Sequence, residues 1–415
     1  MRITPARWIL VLVVVFALLG GFVGGYGYAR WAPATLPAAQ PPEPTPASTA
    51  AQANDFALLS EMRGLIQSEF YRPANADSQN LLHGAARGMV QALGDPNSVY
   101  EPPVERELGD SRWTGRYEGV GMFVDQRDGL MVVTSPVEGG PAERAGIRTG
   151  DVVLAADGRG LAGLSLNDQI MLVRGPQGTT VTLTVRREGA PAPLKIPIVR
   201  EEIHLVSARG RMLDNGLGVL RISQFTTETL GEARGALDGL LAGHPTGLLL
   251  DLRGNGGGLL EPAVQVTGFF LGGGPVVLEA HANGEQKPYA APDGRPATDL
   301  PMLVLVDRGT ASAAEVMAAA LRDRGRAELV GDRTYGKNTV QYIHRLSDGS
   351  GLRITVAEWH TPSGQPIPST GLVPDLPVAT PNPPEPNRDP VLEAAAQRLL
   401  ARVASPSPAS PTPSP

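Results

Sequence analysis

The sequence of 415 residues contains no cysteine. The chain therefore has no disulfide bonds, no thiolate metal ligands and no cysteine nucleophile. Positive charge is not in excess either, because 36 basic side chains stand against 42 acidic ones and the net charge is -6. This balance gives no broad basic surface of the kind that neutralises phosphates, so nucleic acid is not an expected partner.

Lysine is scarce, and only Lys195, Lys287 and Lys337 occur among the 36 basic residues. A lysine in an arginine-rich chain is notable because its amine, unlike a guanidinium, can lose its proton when it is buried. Glycine and proline are abundant, with 50 and 39 residues, which predicts many turns and linkers. The apolar content of 42% and the length still allow two or three domains with sizeable cores.

One long uncharged stretch lies near the N-terminus. Residues 8–29 carry no charge and follow Arg2 and Arg7, as in an export signal or a membrane anchor. We favour an uncleaved anchor, because the nearby small-x-small pattern at 32–34 contains a proline and lies far from the apolar core. The two arginines would keep the N-terminus inside and place the rest of the chain outside.

Composition and periodicity divide the chain into seven segments. Apolar stripes with helical spacing, short β-rich runs between glycine turns, and strands alternating with helices follow one another. Continuous apolar strands in the last of these regions indicate an α/β core with a mixed sheet. The predicted segments are a signal-anchor or signal peptide (1–30), a disordered Pro/Ala linker (31–53), an N-terminal helical region (54–112), a β-rich domain (113–200), the α/β core (201–378), a linker and helix (379–403) and a disordered Pro/Ser tail (404–415).

Ser312 follows the apolar strand predicted at 302–306 and opens a helix of small residues. Glu315 stands three residues later, and this spacing is a capping box, in which the serine side chain only satisfies a free amide. The alternative is that Ser312 is a nucleophile, with the N–H of Ala313 and the positive helix end stabilising an oxyanion. Local sequence favours the capping interpretation, and the nucleophile interpretation requires a base.

A base for Ser312 is not provided by a familiar triad. No Gly-x-Ser-x-Gly elbow exists, and the six histidines (83, 204, 244, 281, 344 and 360) show no triad or metal-site spacing. Lys337 remains, and it could accept the serine proton if burial lowered its pKa towards neutrality. The simpler interpretation of Lys337 is a solvated loop lysine.

Two glycine-rich segments imitate nucleotide-binding motifs without completing them. Residues 331–337 match the first seven positions of a P-loop, but Asn338 stands where Ser or Thr is needed and a β-rich run follows. Residues 251–260 fail the Gly-x-Gly-x-x-Gly pattern at Leu259. A backbone N–H of this second loop could complete an oxyanion hole, and the alternative is a flexible turn.

Taken in order, three motifs resemble those of the C-terminal processing peptidases, also called tail-specific proteases. They are Asp-Leu-Arg-Gly-Asn-Gly-Gly-Gly (251–258), Gly-Thr-Ala-Ser-Ala-Ala-Glu-Val (309–316) and Thr-Tyr-Gly-Lys-Asn-Thr-Val-Gln (334–341). The likeness runs from about 55 to 375 and includes the segments 94–100 and 371–375. It implies an α/β mixed-sheet serine-peptidase core with an inserted β-rich PDZ domain and an N-terminal helical segment.

The resemblance implies three catalytic side chains: the nucleophile Ser312, the general base Lys337, and Gln341, which orients the lysine amine. It also implies an oxyanion hole formed by the N–H groups of Ala313 and Gly257, with Gly258 as a rival because three glycines are adjacent. Glu315 would either cap the helix or support the active site. The implied reaction is peptide hydrolysis through an acyl-enzyme, without a metal or a cofactor.

The β-rich segment resembles a PDZ domain, with residues 117–122 similar to the carboxylate-binding loop and 140–151 similar to the helix and turn that follow. Such a loop holds a terminal carboxylate by backbone N–H groups while the peptide pairs with the sheet edge. The N–H groups implied here are those of Gly119, Val120, Gly121 and Met122. The expected partners are therefore protein substrates with unfolded C-termini, and an adaptor protein and a homo-oligomer are left open.

The expected location is the periplasmic side of a cell envelope, with residues 8–29 anchored in the inner membrane. Two other classes of protein fit part of the pattern. A membrane-tethered PDZ scaffold with an inactive peptidase domain would bind C-termini without cleaving them, although Ser312, Lys337 and Gln341 are all present. A crotonase-like acyl-CoA enzyme would share the glycine-loop oxyanion hole, but the exported topology and the PDZ-like segment argue against it.

Overall fold

The computed structural model describes residues 56–293, 299–379 and 388–404. The predicted anchor, the Pro/Ala linker and the tail after Ala404 lie outside the described residues. The chain divides into two units, Met1–Leu81 and Leu82–Pro415. In the part of the chain that the structure describes, no helix is long and apolar enough to span a bilayer.

The first two helices are those that the apolar stripes predict. They are α1 (Ala57–Glu69) and α2 (Ser78–Gln91), which extends across the division between the units. Neither helix buries a side chain. The apolar residues of α1, among them Leu58, Met62 and Leu65, are exposed. An amphipathic helix with an uncovered apolar face is unusual in a monomeric protein.

A short strand and a helix lead into the β-rich domain. They are β1 (Val99–Glu101) and α3 (Pro103–Thr114). Pro103 stands at the start of α3, where proline is common because its missing N–H is not needed. Gly115 ends the helix in the left-handed conformation, with a φ of 69°.

The β-rich domain is an antiparallel sheet with one long helix. The sheet has the order β3-β4-β5-β7-β8, with β6 beside β5, and a separate pair joins β2 to β9. The elements are β2 (Arg116–Gly119), β3 (Met122–Arg127), β4 (Leu130–Pro136), α4 (Pro141–Arg144), β5 (Val152–Ala156), β6 (Arg159–Gly160), α5 (Leu166–Val173), β7 (Thr180–Arg186), β8 (Leu194–Val199) and β9 (Glu201–His204). Alternating residues of β7, namely Val181, Leu183 and Val185, are buried in its core.

The α/β core is built on a mixed six-stranded sheet with the order β10-β11-β12-β15-β16-β19. Strands β10 and β11 pair antiparallel and the following pairs are parallel. Its elements are β10 (Ala208–Met212), β11 (Leu217–Ile222), α6 (Thr229–Ala242), β12 (Gly247–Asp251), α7 (Leu260–Leu271), β13 (Gly274–His281), β14 (Gln286–Ala291), β15 (Met302–Val306), α8 (Ala313–Asp323), β16 (Glu328–Gly331), β17 (Thr339–Arg345), β18 (Gly351–His360), β19 (Leu376–Pro377) and α9 (Pro390–Ala404).

Helices cover both faces of this sheet, which explains the continuous apolar runs in its central strands. Leu248 and Leu250 of β12 pack in the cluster that includes residues of α6, α7 and α8. Leu249, pointing the other way, packs with Leu399 of α9. The predicted mixed-sheet α/β core, with strands buried on both faces, is confirmed.

A second sheet has β18 at its centre. Strand β17 pairs antiparallel with β18 in a hairpin, while β1 and β13 also pair with β18, and β14 pairs with β13. The segment from Gly331 to Lys337 leads into β17, a strand, whereas a phosphate-binding P-loop leads into a helix. In this sheet β18 lies between β1 and the strand β17 that follows Lys337.

Candidate active site

Ser312 lies at the junction between the loop that follows β15 and the start of α8. Its backbone has a φ of 55° and a ψ of -121°, which is rare for a residue with a side chain. A conformation of this kind costs roughly 1–3 kcal/mol and persists only where the surrounding structure enforces it. Strain at a half-buried serine therefore points to a functional position.

Backbone hydrogen bonds tie this serine loop to two neighbouring loops. The N–H of Ala311 donates to the Asn255 carbonyl (2.9 Å), and the N–H of Tyr335 donates to the Thr310 carbonyl (2.9 Å). The buried Thr310 hydroxyl donates to the Leu252 carbonyl (3.0 Å). Three segments that are remote in sequence therefore meet around Ser312: the glycine loop, the serine loop and the lysine loop.

Glu315 is fully buried, and its carboxylate joins two of these loops. One oxygen accepts the N–H groups of Ser312 and Lys337, both at 2.9 Å. The other oxygen accepts the Gly336 N–H (2.8 Å) and the Thr334 hydroxyl. The two roles that the sequence leaves open for Glu315 are thus combined, because one carboxylate caps the helix and holds the lysine segment against it.

Lys337 is half-buried in the loop between β16 and β17. Burial is the main cause that lowers the pKa of its amine, and the positive charge of Arg353 lowers it further, while Asp95 acts in the opposite direction. Among the described residues, no hydrogen bond joins the Lys337 amine to the Ser312 hydroxyl. Contacts between catalytic groups are often loose without substrate and tighten when it binds.

Gln341 lies on β17, opposite Thr355 of β18. Its side-chain N–H groups donate to the hydroxyls of Thr339 (2.7 Å) and Thr355 (3.3 Å). The register of the β17–β18 pair shifts between Val340 and Gln341, so strict alternation does not relate Gln341 to Lys337. The Gln341 amide is therefore bonded to two threonines, and in the described part of the chain no hydrogen bond joins it to the Lys337 amine.

The glycine loop touches the serine backbone. A Cβ at Gly257 would lie 2.8 Å from the Ser312 Cβ and 3.1 Å from the Ala313 nitrogen. The Gly257 N–H is already engaged, because it donates to the Asn255 side-chain oxygen (2.8 Å). The N–H groups of Gly258 and Ala313 donate to no other group in the described ranges. Of the two loop glycines that the sequence leaves open, Gly258 therefore has the free donor.

A cleft of about 500 Å³ opens beside the glycine loop. Gly256, Gly257 and Gly258 form part of its wall. Side chains of α3, including Leu108 and Trp113, form another part. The Arg353 guanidinium, ion-paired with Glu101, also lines it. Apolar and charged walls around a row of backbone groups can accommodate an extended peptide.

The predicted carboxylate-binding loop lies at one end of a second, largely apolar groove of about 300 Å³. Gly119 belongs to β2 and Met122 to β3, while Val120 and Gly121 connect these strands. Burial raises the pKa of Tyr117, opposed by the charge of Arg174 and by a hydrogen bond from the Met122 backbone.

Apolar side chains of β3, β4 and α5 line this groove: Met122, Val124, Met131, Ile170 and Val173. Strand β3 lies at the edge of its sheet, so its backbone can pair with an added strand.

Sequence reasoning missed the polar side chains that hold the loops together. Arg253 donates to both Asp251 and Asp389 at 2.7–2.9 Å and so joins the glycine loop to the start of α9. Burial opposes the charge on Arg253, but its hydrogen bonds to the two aspartates outweigh burial and raise the pKa of its guanidinium. A turn containing Asp95 and Ser98 is bonded to β18. The motifs at 94–100 and 251–258 contain several of these residues as part of the family resemblance, but the sequence assigned them no role.

Three family models match the chain. The model of peptidase family S41 matches residues 216–378, a PDZ domain model matches residues 132–187, and a model of the activating protease CtpB N-terminal domain matches residues 18–102. The first two coincide with the α/β core and with the β-rich domain. The carboxy-terminal processing protease CtpA of Bacillus subtilis is 35% identical over 328 residues, which are 79% of this chain and 70% of that protein.

Other relatives agree. The carboxy-terminal-processing protease of Bartonella bacilliformis is 37% identical over 313 residues, which are 74% of this chain and 71% of that protein. A solved structure from Bacteroides fragilis, assigned to the S41 proteases, covers 88% of this chain and 100% of its own at 16% identity, with a TM-score of 0.51. The fold and the relatives define a serine peptidase with a PDZ domain. The chain belongs to the carboxy-terminal processing proteases of peptidase family S41.

Proposed function

We propose that this serine peptidase cleaves protein substrates by a dyad of Ser312 and Lys337. The observation that carries the proposal is the buried carboxylate of Glu315, which binds the backbone N–H groups of both residues. A carboxylate so placed fixes the two loops relative to each other. The lowered pKa of Lys337 supports the role of general base, because only a neutral amine can accept a proton.

In the proposed reaction, the Lys337 amine takes the proton of the Ser312 hydroxyl while the serine oxygen attacks the peptide carbonyl. The N–H groups of Ala313 and Gly258 stabilise the oxyanion, with Gly257 as the alternative donor. The lysine ammonium then gives its proton to the leaving amine, and an ester remains on Ser312. Water, deprotonated by Lys337, hydrolyses this ester and restores both groups. Gln341 orients the amine once substrate draws Lys337 towards Ser312.

We propose that the PDZ domain binds the substrate C-terminus. The carboxylate would be held by the loop from Gly119 to Met122, and the peptide would pair with the edge of β3. Apolar walls of the groove favour an apolar terminal side chain. The scaffold alternative is not favoured, because the relatives that define the family are proteases.

The uncharged segment at residues 8–29 and the arginines before it support the proposal that the enzyme is anchored in the inner membrane and works on the periplasmic side of a cell envelope. Fusion of the segment 1–55 to a reporter that is active only outside the cytoplasm tests this location. An inactive reporter fused after this segment would contradict it.

The dyad is tested with the full chain and a loosely folded protein as substrate. We expect Ser312→Ala and Lys337→Ala each to reduce cleavage by at least about 1,000-fold. The matched control is Lys195→Ala, which removes an exposed lysine of the PDZ domain and should leave cleavage unchanged. Substrates that end in an apolar residue should be cleaved faster than the same protein with an acidic tail. Binding of the apolar tail without cleavage would favour the scaffold instead.

A further inference from the structure

The turn at 94–100 is built around the carboxylate of Asp95. That carboxylate accepts the Ser98 hydroxyl (2.6 Å) and the Asn97 N–H (3.0 Å). Burial opposes its charge, but the hydrogen bonds from Ser98, Thr355 and the backbone outweigh burial and lower the pKa of Asp95. Asp95 is therefore held as an anion inside a closed turn.

The same turn is bonded to the strand that supports Gln341. The buried Ser98 hydroxyl accepts the N–H of Thr355 on β18 (3.0 Å). The Thr355 hydroxyl in turn accepts the side-chain amide of Gln341 (3.3 Å). A chain of hydrogen bonds thus leads from Asp95 through Ser98 and Thr355 to Gln341, and it joins segments that lie far apart in the sequence.

Arg353 lies two residues before Thr355, and so on the same face of β18. It pairs in register with Val99 of β1 and with Ile343 of β17. Its guanidinium is ion-paired with Glu101, but its Nε is buried and, within the described part of the chain, has no hydrogen-bond partner. The positive charge is therefore fixed in the wall of the cleft that opens beside the glycine loop.

Three charged groups face Lys337 from the surrounding segments. Asp95 in the turn before β1 favours the ammonium form and raises the pKa of Lys337, whereas Arg353 on β18 disfavours that form and lowers it. Glu315 of α8 binds the backbone N–H of Lys337. Burial adds to the effect of Arg353 and is the largest cause.

We propose that the turn of Asp95 and Ser98 is a positioning element of the active site, which holds Gln341 through Thr355 and, with Arg353, sets the charge of the Lys337 amine. The inference rests on the proposed role of Lys337 as the base. It assigns a task to a segment that lies outside both the PDZ domain and the α/β core.

The scarcity of lysine allows a test that does not depend on activity. In the full chain labelled with ¹³C at the lysine ε-carbon, only Lys195, Lys287 and Lys337 give signals, and Lys337→Ala identifies the third. We expect Asp95→Asn to move the titration of Lys337 to lower pH and Arg353→Gln to move it to higher pH. Asp125→Asn and Arg127→Gln, which remove exposed charges in the PDZ domain, should leave it in place.

Kinetics test the positioning part. We expect Thr355→Val to lower kcat about 10-fold with KM changed less than about two-fold, because the hydroxyl that holds Gln341 is lost while the strand keeps a β-branched residue. The pH dependence of kcat/KM should shift in opposite directions in Asp95→Asn and Arg353→Gln.

Unchanged or parallel titrations of Lys337 in the two charge variants would overturn the inference, and Arg353→Gln alone decides it if Asp95→Asn does not fold. A full-rate Lys337→Ala enzyme would instead overturn the proposed function, whatever the titration shows.

Discussion

At the scale of single residues, one buried carboxylate joins the serine loop to the lysine loop. The four donors that converge on Glu315 come from Ser312 and from the segment Thr334 to Lys337. An isolated buried carboxylate would be strongly unfavourable, whereas one that accepts several hydrogen bonds is stable and rigid. Rigidity of this kind also explains how Ser312 can hold a positive φ.

Glu315→Gln tests this account. The substituted amide would turn an N–H₂ group towards two of the four donors and leave them without an acceptor. We expect a loss of roughly 2–4 kcal/mol in the free energy of unfolding and at least a 100-fold loss of kcat. Denaturant unfolding and peptide hydrolysis measure the two effects. Glu393→Gln, on an exposed turn of α9, is the control, and equal effects of the two substitutions would contradict the proposed role.

Burial of Lys337 costs stability and gives the amine the lowered pKa that the proposed role of base requires. Its folded-state pKa is below the ordinary value of 10.5, so the unfolded chain binds the proton more tightly and protonation favours unfolding. This cost is present at neutral pH and disappears as pH rises towards 10.5. Because the proposed base must be neutral, activity should rise with pH as Lys337 loses its proton.

Lys337→Met should therefore be inactive but more stable. We expect the melting temperature at pH 7 to rise by roughly 1–2 °C, the shift that about 1 kcal/mol produces in a chain of this size, and the gain to shrink at pH 10. Calorimetry at both pH values measures it, with Lys195→Met as the control. A gain independent of pH would show that packing, and not the charge, is responsible.

Three ordered motifs in the sequence predict Ser312, Lys337 and Gln341 as the catalytic residues, and these assignments stay predictions. The sequence could not choose between Gly257 and Gly258, since that choice depends on which N–H the Asn255 side chain already occupies. Nor could it assign Asp95, because the turn around that residue is bonded to a strand far away in the sequence. Hydrogen bonds between remote segments are invisible to local pattern and spacing.

At the scale of elements, the glycine loop is shaped by close backbone contacts. Gly258 has a φ of 137°, and a Cβ there would lie 2.0 Å from the Phe225 carbonyl oxygen. Gly256, in the same loop, has open space around it. The third glycine of this run is therefore required by packing, whereas the first is not.

We expect Gly258→Ala to abolish cleavage and to lower stability by roughly 2–4 kcal/mol, because the loop must move away from Phe225 and its free N–H moves with it. Gly256→Ala should lower stability by less than about 0.5 kcal/mol and retain most activity. Thermal unfolding and cleavage assays on the two variants measure these effects. An active Gly258→Ala enzyme would exclude this N–H from the oxyanion hole.

Helix α9 is joined to the same loop through Asp389. Its carboxylate accepts Arg253 and also the Leu392 N–H (3.0 Å), as a helix cap does. Burial opposes the charge of Asp389, but these hydrogen bonds outweigh it and lower its pKa. The hydrogen bonds of the Asp389 carboxylate therefore stabilise the folded protein at pH values above about 4, the pKa of this group in the unfolded chain. Their contribution is lost as the pH falls through the lower pKa of the folded state.

Asp389→Ala should cost about 1–2 kcal/mol at pH 7 and lower kcat more than it raises KM, since the loop that follows Arg253 loses a support. Unfolding experiments at pH 7 and at acid pH should show the difference from the wild type diminishing in acid. If the difference in unfolding free energy between the variant and the wild type stayed constant down to the lowest pH, the ion pair would not be its cause.

Periodicity predicted that strands alternate with helices in the core, but it could not predict the pairing of β1 with β18. Strand β1 is very short, and its partner lies near the other end of the α/β core in sequence. A short strand of this kind forms because the β17–β18 hairpin provides an edge for it. The sequence around β1 does not contain that partner, so local pattern cannot predict the pairing.

At the scale of the whole molecule, the helix α1 presents an apolar stripe that nothing in its described unit covers. Leu58, Met62 and Leu65 expose 62%, 48% and 51% of their surfaces. Stable association commonly buries about 800 Å² on each partner around a cluster of such side chains. We therefore expect the protein to self-associate through this helix.

Sedimentation equilibrium over a range of concentrations measures that association. Leu65→Asp should shift the protein towards the monomer by at least about 10-fold in the dissociation constant, because a desolvated carboxylate would lie at the interface. Ser60→Asp, with the same added charge elsewhere on α1, should have little effect. Helix α1 carries none of the proposed catalytic residues, so the Leu65→Asp monomer should retain its kcat on short peptides. A wild-type protein that is monomeric at every concentration would contradict self-association and leave the stripe to a partner of another kind.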